Sequence, residues 1–347
     1  MHVYGAVGQR HYFGPLRLLQ VSLWGAARLA AAVVRAGCDV LHVCKPQPIN
    51  GLAGILASRA VGCPLYLDCD DYEAGGNRFG AGWQHRVVQL WEDTLPLRAL
   101  AVTVNTRFLQ QRCQALGVPA RQVVYVPNGV TRERIDIVPP ERAVAGLRGA
   151  FGLGNAPVVV YVGTLSEITH GVGLLLDAFA HVVQQVPTAR LLLVGDGEDR
   201  ATLVERARQL GLNSSVRFIG AVPYDMVPVY LALAHCSVDA VRDDAVAQAR
   251  SPLKIVESLA AGVPVVTGDV GDRAEMLADG AAGVVVAPGD PQALANGIVA
   301  LLENTERQRV AAQAARRTAQ AYTWPVLATK WRAAYDFTWK NGGAGGG

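Results

Sequence analysis

The chain lacks the marks of several protein classes. Its 347 residues carry a formal net charge of only +3, so composition gives no case for nucleic-acid binding. Its arginines still suit an anionic membrane or an anionic substrate. Six cysteines stand at positions 38, 44, 63, 69, 113 and 236, and none forms a C-x-x-C pair. That spacing reads as core thiols in a reducing compartment rather than as a disulfide framework or a zinc site. No signal peptide is evident. An uninterrupted apolar run of about 20 residues is also missing. The best candidate, 16–36, is broken by Arg17, Arg28 and Arg35. A spanning helix is therefore not expected, and two readings stay open: a helix packed on a sheet, or an amphipathic helix lying on a bilayer. A G-x-G-x-x-G fingerprint is absent as well, since Gly195-Asp196-Gly197 is too short, which weakens a dinucleotide oxidoreductase.

What is present is a globular composition, 51% hydrophobic and 18% charged, long enough for two domains of ordinary size. The chain is organised around 250–267, RSPLKIVESLAAGVPVVT. Ser251 reads as a capping hydroxyl and Pro252 as the first helical residue. Leu253, Val256, Leu259 and Ala260 make the apolar side, Gly262 ends the helix, and 263–267 is the next buried strand. Lys254 and Glu257, three apart, then sit where a helix N-terminus meets a sheet edge. Open α/β sheets bind phosphorylated ligands at such places. The plain alternative is a surface ion pair.

Strands are expected near 39–44, 64–67, 99–104 and 123–126, alternating with helices, and 1–4 could be the tail of another. The loop after the second of these holds Asp68, Asp70, Asp71 and Glu73. Four acids at the C-terminal end of a strand suit acid–base work or hydrogen bonds to a polyhydroxylated ligand. A hard cation would also suit them, but no histidine or second carboxylate cluster supports it, and no metal site is assigned. Residues 131–156, with Pro139-Pro140 and little periodicity, read as the domain boundary. A second strand–helix alternation runs from 157 to about 302, and two further helices flank a break at 322–325.

At this point the residues carry a family pattern. PNGV at 127–130, YVGTL…HG at 161–171, LLLVGDGED at 191–199, VRFIGAVP at 216–223 and SPLKIVESLAAGVPVV at 251–266 occur in one order and spacing. The chain resembles the retaining glycosyltransferases of family 4. The resemblance implies an α/β protein of the GT-B type: two Rossmann-like domains facing a cleft. The first domain (1–140) would lie on the acceptor side and lack the family's opening strand and Gly-Gly loop. A linker (141–156) and a nucleotide-sugar domain (157–321) follow, then a helix (322–338) crossing back to the first domain and a disordered tail (339–347).

The family also implies a nucleotide-sugar donor such as a UDP- or GDP-sugar, and no cofactor. The acceptor would be a glycan, a lipid-linked group or a small molecule, met in the cytoplasm with peripheral membrane contact left open. Carried over by position, Glu257 matches the acid that bonds the donor ribose, and Lys254 matches the lysine of the S-P-x-K-x-x-E variants. Gly163, Thr164, Ser251 and Pro252 belong to the loop and helix start near the diphosphate. Gly195, Gly197 and Glu198 fall in a loop near the nucleotide, and Val222 falls where backbone meets the base. On the catalytic side, Lys254 and His170 would balance the leaving group, and Asp71 would lie closest to the acceptor hydroxyl. Asn105 and Arg107 begin a helix that faces either the cleft or the core.

Three positions depart from the family. Thr164 and His170 stand where an arginine and a lysine are usual, and Ala249 replaces the first acid of the E-x7-E pair. A rival reading is therefore a weak relative that binds a nucleotide-sugar or glycan, or partners a complete transferase. A two-domain sugar-phosphate epimerase fits the S-P-x-K-x-x-E pattern less well.

Overall fold

A computed structural model describes residues 14–77 and 79–341. The strand tail expected at 1–4 and the tail beyond 341 lie outside the described residues. The first half opens with helix α1 (Pro15–Ala36), strand β1 (Leu41–Cys44), α2 (Pro48–Val61), β2 (Leu65–Cys69), the single turn α3 (Glu73–Gly76) and α4 (Gly82–Thr94). It continues with β3 (Ala101–Val104), α5 (Arg107–Ala115) and β4 (Val123–Tyr125). The four strands are parallel in the simple order β1-β2-β3-β4. The central strands β2 and β3 are largely buried on both faces, as parallel strands covered by helices require, whereas the edge strand β1 is buried only at Val43.

Helix α1 packs chiefly on α2, with Leu41 of β1 at the edge of the contact. It lays a stripe of small residues, Ala26 and Ala30, against Ala53 and Ala57 of α2. Most of its remaining surface is exposed, including Leu16, Leu19, Leu23 and Trp24. By length and composition it is apolar enough to cross a membrane. The cysteines are all free, but not all are core thiols: Cys44 is exposed, and the half-buried Cys38 has its Sγ 3.4 Å from that of Cys63.

The stretch read as the domain boundary contains two helices. It forms α6 (Arg132–Asp136) and α7 (Glu141–Ala150), and Val144 and Leu147 of the latter, with Phe151 just after it, pack against a cluster that includes Val158, Leu192 and Tyr230 of the second half. The second half then runs β5 (Val158–Val162), α8 (Glu167–His170), α9 (Val172–Gln185), β6 (Arg190–Val194), α10 (Arg200–Gln209), β7 (Val216–Gly220), α11 (Val227–Leu231), β8 (Cys236–Asp239) and α12 (Ala245–Gln248). It closes with α13 (Leu253–Ala260), β9 (Val265–Gly268), α14 (Arg273–Met276), β10 (Gly283–Val286), α15 (Pro291–Leu302), α16 (Thr305–Ala319) and α17 (Trp324–Asn341). Six parallel strands lie in the order β10-β9-β8-β5-β6-β7. The order reverses between β5 and β8, and that switch point opens a crevice at the carboxyl ends of the two strands. Helix α17 returns to the first sheet, where Ala334 and Tyr335 pack on Tyr66 and Ala101. The result is the two-domain GT-B architecture.

The halves are stitched together beside the crevice. Asn128 donates its backbone N–H to Ser251 Oγ at 3.0 Å and its side-chain amide to the Ser251 carbonyl at 2.8 Å. Asp272 accepts the Arg107 backbone N–H at the start of α5, a carboxylate from one domain placed at a helix N-terminus of the other.

Candidate active site

The site is built at the ends of β5 and β8. After β5 the chain turns through Gly163, whose φ of +151° favours glycine. Two loops then touch backbone to backbone: a Cβ at Gly195, which has φ +138°, would fall 1.9 Å from the Gly163 carbonyl oxygen. Glycine at 195 is thus a requirement of close approach. Helix α13 enters the same crevice, but Pro252 takes the N-cap position and Leu253 begins the helix. The Ser251 hydroxyl, expected to cap, is instead the acceptor for Asn128. The helix is also not one-sided: Ile255 through Ala260 are all buried, and Leu253, expected on the apolar face, is exposed.

A cleft of about 430 Å³ results, lined from the first half by Asp70, Asp71, Asn105 and Asn128, and from the second by Gly163, Thr164, His170, Asp239 and Arg250 through Lys254, with Glu257 and Arg273. An adjoining hollow of about 290 Å³ shares Val162, Gly163 and Thr164 with it and adds Gly195, Asp196 and Val222. Of the residues singled out in the sequence, Asp71, Gly163, Thr164, His170, Ser251, Pro252, Lys254 and Glu257 meet in the cleft, and Gly195 and Val222 in the hollow. Gly197 and Glu198 line neither. Gly197 lies against the backbone of Leu165, and Glu198 is exposed.

Sequence reasoning missed the residue that ties the second wall together. Asp239, 3% exposed at the end of β8, bonds Lys254 Nζ at 3.2 Å and Arg273 Nε at 2.8 Å. Burial works to raise its pKa, but the two cations outweigh burial and hold the carboxyl well below its ordinary range. Lys254 does not pair with Glu257. Its Nζ lies 3.4 Å from both Tyr161 Oη and His170 Nδ1, over the Tyr161 ring. An ammonium has only donors, so His170 accepts through Nδ1 and keeps its proton on Nε2. Burial first, then Lys254 and Arg250, push the His170 pKa down to about 3. The imidazole is therefore neutral near pH 7, not the partial cation its position suggested.

The first wall has the opposite character. Lys45, in the left-handed region at φ +68°, sends Nζ among Glu73, Asp71 and Asp70 at 2.7, 2.9 and 3.3 Å. Those three carboxylates have oxygens within 4.8 Å of one another, and the ammonium occupies their centre. A divalent cation would have to displace it. Burial lowers the Lys45 pKa, but its bonds to Glu73 and Asp71 dominate and hold it above the ordinary value. Asn105 is buried, donates to the Asp70 carbonyl at 2.7 Å and reaches the cleft. Arg107 stacks on Tyr125 at 3.9 Å and does not line the cleft. Ala249, where an acid was expected, is buried in the apolar core under the first sheet.

Comparison with known proteins gives a family match over most of the chain. Residues 156–304 match the model "Glycosyl transferases group 1" and residues 2–129 the model "Glycosyl transferase 4-like domain". The chain is 30% identical over 325 residues to the phosphatidyl-myo-inositol mannosyltransferase of Mycobacterium leprae, covering 94% of this chain and 80% of that protein. It is 30% identical over 233 residues to the GDP-mannose-dependent alpha-(1-6)-phosphatidylinositol monomannoside mannosyltransferase of Mycolicibacterium smegmatis, covering 67% of this chain and 59% of that protein. Among solved structures, Anabaena Alr3699/HepE in complex with UDP-glucose superposes with a TM-score of 0.72 at 23% identity, over 94% of this chain and 84% of that one. Sucrose-phosphate synthase from Thermosynechococcus elongatus gives 0.77 at 21%, over 96% and 82%. Both likenesses establish the fold.

Proposed function

The chain belongs to the group 1 glycosyltransferases, and from that premise we propose that it moves a sugar from a nucleotide diphosphate donor to a hydroxyl with retention at the anomeric carbon. The observation that carries this reading is the placement of Lys254 and Glu257 on one helix at the switch-point crevice, beside the Gly163 loop. The nucleoside end occupies the hollow at Val222, with its pentose at Glu257. The diphosphate lies between the 163–164 backbone and the start of α13, and the sugar points into the larger cleft toward Asp70 and Asp71.

The chemistry needs positive charge where the diphosphate leaves. An arginine at 164 is missing, but Lys254 and Arg250 line the cleft from α13 and the residues before it, and Arg273 lies behind Asp239. These cations and the backbone N–H groups at the start of α13 receive the growing charge. His170 Nε2–H adds a neutral donor. On the other wall, Asp71 receives the acceptor hydroxyl, while Lys45 holds the acidic loop in place. The acceptor attacks from the face that the diphosphate leaves, and a phosphate oxygen helps to take its proton. Because the names of two relatives speak of GDP-mannose or phosphatidylinositol, GDP-mannose and a lipid-borne hydroxyl are the first pair to test. Helix α1, with exposed Leu16, Leu19, Leu23 and Trp24, three arginines and no acid, fits the surface of an anionic bilayer.

The test presents GDP-mannose, UDP-glucose and other nucleotide sugars to the full chain with phosphatidylinositol-containing vesicles, and reads transfer and anomeric configuration by NMR. An α-linked product from an α-linked donor is expected. Inversion would sink the retaining mechanism, and the absence of both transfer and donor hydrolysis would sink the enzymatic reading. Thr164 and the buried Ala249 favour a second reading, a relative that binds the donor without transferring it. Saturable donor binding with no turnover would select that one.

A further inference from the structure

Glu257 is paired with Arg134, a residue the steps above do not use and one supplied by α6, outside both sheets. Arg134 donates through Nη2 to Glu257 Oε1 at 3.0 Å and to the Tyr224 carbonyl at 2.9 Å. Its guanidinium lies 3.9 Å from the centre of the Tyr224 ring, and the Tyr224 hydroxyl lies beside the same carboxylate. Arg134 and Glu257 are 6% and 7% exposed, whereas Tyr224 is 60% exposed. Glu257 forms part of the wall between the donor cleft and a cavity of about 230 Å³ behind it, which Arg134 also lines.

A single charge-assisted bond fixes the place of one carboxylate oxygen, and the Tyr224 hydroxyl beside the same carboxylate limits its rotation. One such bond uses only part of a carboxylate's acceptor capacity, which is about four lone-pair sites. Two adjacent hydroxyls can then be accepted by a group that is already oriented. The aromatic ring over the guanidinium keeps Arg134 from swinging toward solvent.

We infer that Arg134, held by Tyr224, is the positioning residue for the donor's pentose: it presents the Glu257 carboxylate to two neighbouring ribose hydroxyls and so sets the preference for a ribonucleotide. The inference rests on the donor reading above. A site built to bond a hydroxyl rejects the analogue that lacks it.

The experiment measures binding of GDP and UDP, and of their 2′-deoxy forms, by titration calorimetry to the full chain. Wild type is expected to favour the better ribonucleotide over its deoxy form by about tenfold, the value of one hydrogen bond to a charged group. In Arg134→Met the ribonucleotide weakens by about tenfold, the 2′-deoxy form, which keeps its 3′-hydroxyl, weakens by less, and the ratio falls toward one. Because a buried charge left unpaired can prevent folding, Tyr224→Ala at an exposed position provides a second probe, with the ratio falling about threefold. A purely structural Arg134 would weaken both nucleotides equally. An unchanged ratio in the folded variants overturns the inference alone. Wild type that binds neither nucleotide overturns the donor reading and the inference with it.

Discussion

The two walls of the cleft use the same residue in opposite ways. On the first, Lys45 is surrounded by Asp70, Asp71 and Glu73, so three carboxylates face one ammonium and the wall stays negative. On the second, Lys254 shares the single carboxylate of Asp239 with Arg273, so two cations face one anion and the wall stays positive. The lesson is that a lysine's role follows from the charge count around it. Lys45 is spent on holding an acidic loop, whereas Lys254 is only half neutralised and remains attractive to an anion. Under the function proposed above, the diphosphate would lie on the second wall and the acceptor hydroxyl on the first.

This contrast can be broken experimentally. The largest effect is expected from Lys254→Met, which leaves Asp239 paired with Arg273 and the fold intact. Transfer should fall by about 10²–10³-fold, as for loss of a charge-stabilising group, measured as kcat/KM with the thermal midpoint nearly unchanged. A loss below tenfold would move the anion site elsewhere. Next, Asp239→Asn strips the shared anion from two buried cations. A cost of about 3 kcal/mol, seen as a midpoint lower by roughly 5–10 °C, is expected in calorimetry, and an unaltered midpoint would contradict the charge count.

Asp71→Asn tests the opposite wall. Lys45 keeps Asp70 and Glu73, so stability should hold while kcat falls by about 30-fold, a modest share of what acid–base groups contribute. Donor affinity should not move, and a matching loss of donor affinity would place Asp71 on the wrong substrate. The smallest effect concerns His170. Its folded pKa of about 3 lies below its unfolded value, so between those two pH values the unfolded chain binds the extra proton. Stability from this group is present above the unfolded pKa near 6.5 and is lost as pH falls toward 3. His170→Asn should flatten the acid limb by on the order of 1 kcal/mol between pH 6.5 and 5. Parallel limbs in the two proteins would mean that His170 is not held neutral.

Much of the architecture was legible without coordinates. The β-branched runs at 158–162 and 265–268, and the turn glycines that follow them, announce parallel strands, and the 82–94 helix falls where its apolar spacing places it. Reading failed where burial came from more than one side. Helix α13 was expected to hide one face, yet the sheet, α6 and α16 enclose it, so Ile255 is buried and Leu253 is not. Residues 131–156 have weak periodicity because their two short helices bury few of their own residues.

Sequence by itself determined the strand–helix alternation, the glycines that let the 163 and 195 loops meet, and the placement of Lys254 and Glu257 three apart on one helix. All of these are local properties, set by side-chain volume, backbone freedom and helical repeat. Tertiary structure alone decided the partners: Asp239 and His170 for Lys254, Arg134 for Glu257, and Lys45 for the acidic loop. These groups lie from 15 to 123 residues apart in Arg134–Glu257 and its companions. An ion pair depends on distance and burial, and both are fixed only when the sheets form, at the neighbouring ends of β1 and β2 for Lys45 and at the reversal between β5 and β8 for Lys254.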